Sequence, residues 1–180
     1  MRKQDYIVIS IITLAAWSVI LFDHFNGGVP SHYLLQDENM PAISNWWGAL
    51  IIPVLTFVLL IRIRKRTSKN QNKVTSLGYL KHSIIAFIAS LLFGSIVSIL
   101  FINGYDDITG YMMLSIFPLA IFVPLFRGEY LLGLVLGMYY TFGAFIPTVA
   151  GIIICGICAI LYKWIRPIIL FPFSKRDISS

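Results

Sequence analysis

IIAFIASLLFGSIVSILFI, residues 84–102, carries no charged side chain along its whole length. Wound as a helix at 1.5 Å per residue it measures roughly 28 Å, close to the ~30 Å hydrocarbon core of a bilayer. Within it Ala86, Ser90, Gly94 and Ser98 recur at every fourth residue and share one face. Lipid is as apolar as leucine, so hydrophobicity cannot draw such helices together, whereas small residues let their backbones approach. The stretch therefore predicts a membrane-spanning helix with one face built for packing.

The rest of the chain agrees. Of 180 residues, 58% are hydrophobic and 12% charged, with mean hydropathy +0.82, where a soluble domain has about 25% charged residues. Five further apolar segments fall at about 6–25, 46–63, 111–126, 130–146 and 148–164. The expected fold is an all-α polytopic integral membrane protein, one membrane domain with a bundle of six transmembrane helices. Only Arg127, Gly128 and Glu129 separate the fourth segment from the fifth, which makes the two an antiparallel hairpin. Small-residue stripes return in the fifth (Gly133, Gly137, Thr141) and sixth (Gly151, Cys155, Ala159), so helices three, five and six are expected to pack closely, within the chain or between copies. Pro53, Pro118 and Pro124 are expected to interrupt the second and fourth helices.

Orientation follows from the preference of Lys and Arg for cytoplasmic loops. With the N-terminus inside, all 14 basic residues fall on that side: Arg2, Lys3, Arg62, Arg64, Lys65, Arg66, Lys69, Lys73, Lys81, Arg127, Lys163, Arg166, Lys175 and Arg176. Asp23, Asp37, Glu38, Asp106 and Asp107 fall outside. The reading is N-in and C-in, in a plasma (inner) membrane, with the first helix retained rather than cleaved as a signal peptide. The net charge of +6 reflects topology, and no nucleic acid is expected as a partner. Residues 64–83 read as a basic inner loop in contact with anionic lipid. Residues 165–180, broken by Pro167 and Pro172, read as an interfacial tail.

Chemistry is sparse within the spans. Cys155 and Cys158 form a Cys-x-x-Cys, but three-residue helical spacing holds the Cβ atoms about 5–6 Å apart, against roughly 3.5–4.5 Å in a disulfide. Both read as packing residues. Vitamin K epoxide reductases also carry a membrane-embedded Cys-x-x-Cys, accompanied by loop cysteines that have no counterpart in this sequence. Away from the helix ends no Asp, Glu, Lys, Arg or His falls inside a predicted span, which argues against a proton pump with a midplane carboxylate. Arg127 and Glu129 are expected to pair with each other or with headgroups, and His82 to sit at the interface.

Polar chemistry gathers instead in DHFNGGVPSHYLLQDENMPAISNWWG, residues 23–48. Gly27 and Gly28 permit a tight reversal; Pro30 and Ser31 predict a short helical turn at SHYLL. Ser44 reads as the N-cap of the second helix. The apolar residues Val29, Tyr33, Leu34, Leu35, Met40 and Ile43 are expected to fold the 26–45 loop back over the bundle, and ordered loops of this length are usually functional. Trp46 and Trp47 suit an interfacial aromatic belt or a pocket wall. The candidate ligand contacts are Asp23, His24, Asn26, His32, Asn45, Trp46 and Trp47, with Tyr105, Asp106 and Asp107 from the second outer loop.

Three functional classes follow. The leading one is a non-enzymatic protein that binds or transports a small molecule or lipid at its outer face, with the first loop as lid. The second is a membrane-embedded hydrolase or transferase in which His24 or His32 is the general base and Asp23 orients it. His24, His32 and Asp106 are the metal candidates there, without diagnostic spacing; no cofactor is identified. The third is a subunit or assembly factor. Membrane lipids are the expected partners, together with a second copy or another membrane protein on the small-residue faces. The layout is similar to that of the substrate-binding subunits of energy-coupling-factor vitamin transporters, which have six helices and a long first outer loop that closes over the ligand. Their first helix carries Ala-x-x-x-Ala, whereas Ala15 and Ala16 are adjacent here.

Overall fold

A computed structural model describes residues 3–33, 39, 41–68 and 73–168. They form six helices, α1 (Lys3–Phe25), α2 (Gly48–Ser68), α3 (Lys73–Ile102), α4 (Asp106–Phe122), α5 (Gly128–Phe142) and α6 (Phe145–Ile160), the last continuing through a π-helical turn at Leu161–Ile165. A two-stranded antiparallel ribbon, β1 (Ser31–Tyr33) and β2 (Ala42–Ser44), stands between α1 and α2.

The helices are apolar on the outside. Ile11, Leu14, Leu21 and Phe22 of α1 are 49–62% exposed, a surface that water would not tolerate and a bilayer would. Among the described residues four stretches are long and apolar enough to cross a membrane: Lys3–Phe25, Asn45–Arg66, Leu80–Ile102 and Phe145–Ile168. The 17-residue α4 and 15-residue α5 fall short of that length. α5 nevertheless lies at the centre of the bundle, against α2, α3 and α6.

The α3–α5 pair holds the bundle together, and small residues explain why. A Cβ at Gly94 would lie 2.8 Å from Leu134 O, and Cβ atoms at Gly133 and Gly137 would overlap the backbone of α3 at Phe87 and Leu91. Ser98 Oγ donates to Gly137 O at 3.2 Å, while Ser83 meets Glu129. Contacts therefore advance in the same direction along both helices, so the two run parallel. The small-residue stripes of the third and fifth helices meet inside one chain, and Gly151 of α6 seats Leu131 of α5.

α1 and α2 run antiparallel. Asp5 meets Arg64 at one end, and Trp17 Nε1 donates to Ala49 O at 3.1 Å toward the other. We call the first the charged end and the second, which bears the ribbon, the hairpin end. α5 reverses into α6 at Gly143, whose φ of 69° and ψ of −173° lie in a region essentially restricted to glycine.

Several local expectations are corrected. The 64–83 segment is largely helical, because α2 runs on to Ser68 and α3 starts at Lys73; Lys and Arg are good helix formers, so charge does not end a helix. Ser31–Tyr33 of SHYLL is a strand, since the backbone finds its partners in Ala42–Ser44 rather than in a local turn. The fourth helix starts at Asp106 and ends before Pro124; Val123 is extended (φ −114°, ψ 133°), as a proline one residue on prefers. The fifth and sixth helices begin earlier than read, at Gly128 and Phe145. The predicted tail is helical through residue 168, and residues 169–180 lie outside the described residues.

Candidate functional site

At the hairpin end, α1 closes with its backbone turning on Asp23. Gly28 N donates to Asp23 O at 3.0 Å and Asn26 N at 3.1 Å, a reversal that needs the positive φ of Gly27 and Gly28 (119° and 102°). Asn26 Nδ2 donates to Phe22 O at 2.8 Å and so caps its own helix. The His24 ring makes edge contacts with Phe25 (5.3 Å) and Trp46 (5.9 Å). Val29 packs against the core formed by α1, α2 and α5, which draws the start of the loop onto the bundle. Ser44 Oγ accepts from Trp46 N at 3.4 Å as the N-cap of a 3₁₀ turn, Asn45–Trp47, that leads into α2.

Asn45 is buried; its N–H donates to Pro30 O at 3.0 Å, while its Oδ1 has no partner among the described residues. Trp46 and Trp47 are exposed. His32 pairs through its backbone with Ile43, and its side chain lies outside the described residues. Tyr105 precedes α4, and Asp106 and Asp107 occupy its first turn, all three exposed. Among the described residues no hydrogen bond or ion pair joins them to residues 23–48. Nor do three His, Cys, Asp or Glu side chains gather in metal-binding range among those residues. The structure thus brings together His24 and Trp46 beside the Asp23 turn, and among the described residues links neither to the Tyr105–Asp107 group by a hydrogen bond or ion pair.

The charged end holds what sequence reading missed. Arg64 Nε donates to Asp5 Oδ1 at 2.7 Å, and Arg66 Nη2 to Glu129 Oε1 at 2.5 Å. Arg64 and Arg66 are two residues apart, hence roughly 200° around the helix. α2 can therefore reach α1 with one arginine and α5 with the other. The expected partner of Glu129 is corrected: Glu129 is 1% exposed and faces inward, where, among the described residues, Arg66 of α2 supplies the cation in place of Arg127 or a headgroup. Ser83 of α3 joins this pair, accepting from Arg66 at 3.2 Å and donating to Glu129 Oε1 at 3.3 Å. Glu129 Oε2 and Arg66 Nε stay buried without hydrogen-bond partners among the described residues.

An apolar cavity lies elsewhere, between α3, α4, α5 and α6. It has a volume of about 200 Å³ and is lined by residues that include Ala89, Phe93, Ile116, Leu119, Leu125, Leu134 and Ile154. Ala89 and Leu119 on its rim are exposed, so it opens sideways on the apolar surface. Its polar neighbours are committed or peripheral: Ser90 Oγ donates to Phe87 O at 3.0 Å and Cys155 Sγ to Leu125 O at 3.8 Å. Cys158 is fully buried against Ile116 and Ala120. Toward the charged end Phe126 packs against Tyr162 (5.6 Å between rings), with Lys163 Nζ 5.8 Å above the Phe126 ring. Arg166 stacks on Tyr162 at 4.6 Å and donates to its hydroxyl at 2.6 Å.

No known family, curated protein or solved structure matches the chain.

Proposed function

We propose that the chain is a multi-pass membrane protein of six spanning helices, with cytoplasmic termini in a plasma (inner) membrane, that binds a lipid or lipid-like molecule without converting it chemically. The cavity between α3, α4, α5 and α6 is the observation that carries this reading. At about 200 Å³ it is smaller than the roughly 300–1,000 Å³ that encloses a drug-sized ligand. A space of that size, lined by hydrocarbon and open at the side, suits a segment of acyl chain entering from the membrane. Filling it tests the reading: Ala89→Phe together with Ile154→Phe is expected to lower lipid retained by the purified protein about tenfold, equivalent to about 1.4 kcal/mol, with the melting temperature little changed. Native mass spectrometry after delipidation and re-addition of defined lipid reports the retention, and a thermal melt the stability. Undiminished retention in the filled variant would sink the reading.

A second reading places a ligand under the 26–45 loop, as residues 23–48 suggest. The His24–Trp46 ring contact and the seating of Val29 favour it, because both draw the loop ends toward the bundle. On this reading a ligand that raises the melting temperature does so through the loop, and His32→Ala abolishes the shift. A shift that survives substitutions throughout residues 23–47 counts against it.

A further inference from the structure

We infer that the occupant of the cavity is an anionic phospholipid, its acyl chain between α3, α4, α5 and α6 and its phosphate on Arg127, Lys163 and Arg166. This rests on the lipid-binding reading above and adds the headgroup class. The placement comes from the cavity's own wall. Leu125 and Tyr130 line it, and Arg127 lies between them in sequence, as the residue preceding α5. Phe126, its neighbour, carries Lys163 over its ring and packs on Tyr162, which carries Arg166. One aromatic pair thus brings the end of the α4–α5 turn and the end of α6 together at the charged end.

These cations lack counter-ions among the described residues. The ion pairs formed there are Arg64–Asp5 and Arg66–Glu129. The remaining described carboxylates, Asp23, Asp106 and Asp107, belong to the hairpin end. Arg166 is also held in place: its ring contact and its bond to Tyr162 fix the guanidinium, while its buried Nε has no acceptor. A guanidinium and an ammonium held on one aromatic pair are suited to phosphate, whose oxygens accept several charge-assisted bonds. The π-helical turn Leu161–Ile165, a geometry frequent at functional sites, carries both Tyr162 and Lys163. A zwitterionic headgroup would bring its own cation to this rim and gain less from it.

The test uses the full chain, delipidated in detergent, with dioleoylphosphatidylglycerol or dioleoylphosphatidylcholine as probe and native mass spectrometry as readout. The acyl chains are identical, so the cavity term is shared and the headgroup term isolated. Wild-type protein is expected to favour phosphatidylglycerol on the order of tenfold. Lys163→Gln with Arg166→Gln is expected to bring the two lipids within about twofold, by lowering phosphatidylglycerol uptake more than phosphatidylcholine uptake. Arg127→Gln, in a different segment, is expected to lower the preference independently should the double variant fold poorly. Equal uptake of both lipids by wild-type protein overturns the headgroup assignment and leaves the cavity reading standing. Uptake of neither overturns both, and an undiminished preference in all the glutamine variants overturns the choice of cations.

Discussion

Arg66→Met is expected to destabilise the protein by about 3–5 kcal/mol, the usual cost of leaving a buried charge without its partner. The exposures of the two partners set an asymmetry. The Glu129 side chain is 2% exposed and the Arg66 side chain 33%, so a stranded arginine can turn outward while a stranded carboxylate cannot. Glu129→Gln should therefore cost less than Arg66→Met, the more so because its amide can still accept from Ser83 Oγ, which lies 3.3 Å from Glu129 Oε1. Arg66→Met combined with Glu129→Leu should recover most of the loss, since apolar replacements of a buried pair are often neutral or better. Reversible unfolding in mixed micelles measures the four corners of the cycle. If the double variant is as unstable as Arg66→Met alone, the pair does not join α2 to α5.

This pair also shows where sequence reading stops. Arg64 and Arg66 read as topogenic charge, and their number and position carried that meaning. Their partners depend on α2 lying between α1 and α5, which no local pattern encodes. Asp5 and Glu129 sit just outside the apolar runs, so the rule that spans hold no ionisable residue passed over them. The helices themselves were legible because their lengths match a bilayer, and the stripes Ser90–Gly94–Ser98 and Gly133–Gly137 were legible because spacing four is a helical period. Helix ends were not, since Lys and Arg continue a helix as readily as they flank one. β1 and β2, at three residues each, are too short for periodicity to register.

The candidate sites divide along the same line. Residues 23–48 stood out by polar composition, and the structure accounts for much of it locally: Asn26 caps α1, Ser44 caps the turn into α2, and the glycines make a reversal. The cavity between α3, α4, α5 and α6 has no such signature. Ala89, Leu119 and Ile154 are indistinguishable in sequence from any lipid-facing residue, and only the arrangement of four helices leaves space beside them. A binding surface for an apolar chain is by nature written in the same residues as the membrane face.

Gly137→Leu is expected to force α3 away from α5 and to lower the melting temperature further than Gly137→Ala does. A methyl group alone suffices to show the effect. The Cβ of Gly137→Ala would overlap Leu91 O and lie 2.8 Å from Ser95 N, backbone atoms that no rotamer change can move. Overpacking of this kind costs about 1–3 kcal/mol, or roughly 3–10 °C in melting temperature for a chain of this size. Gly156 supplies the control, because a Cβ there meets nothing within 4 Å and alanine favours the helix by about 0.5–1 kcal/mol. Leucine at position 137 adds three more carbons to a contact already closed, and the parallel register it disrupts is the one that brings Ser83 to Glu129. Its cost should therefore exceed that of the alanine change by more than added volume alone implies, and Gly137→Leu on an Arg66→Met/Glu129→Leu background should cost less than on wild type. Melting temperatures of the four chains decide it: equal costs on both backgrounds would mean that the glycine contact and the buried pair act independently.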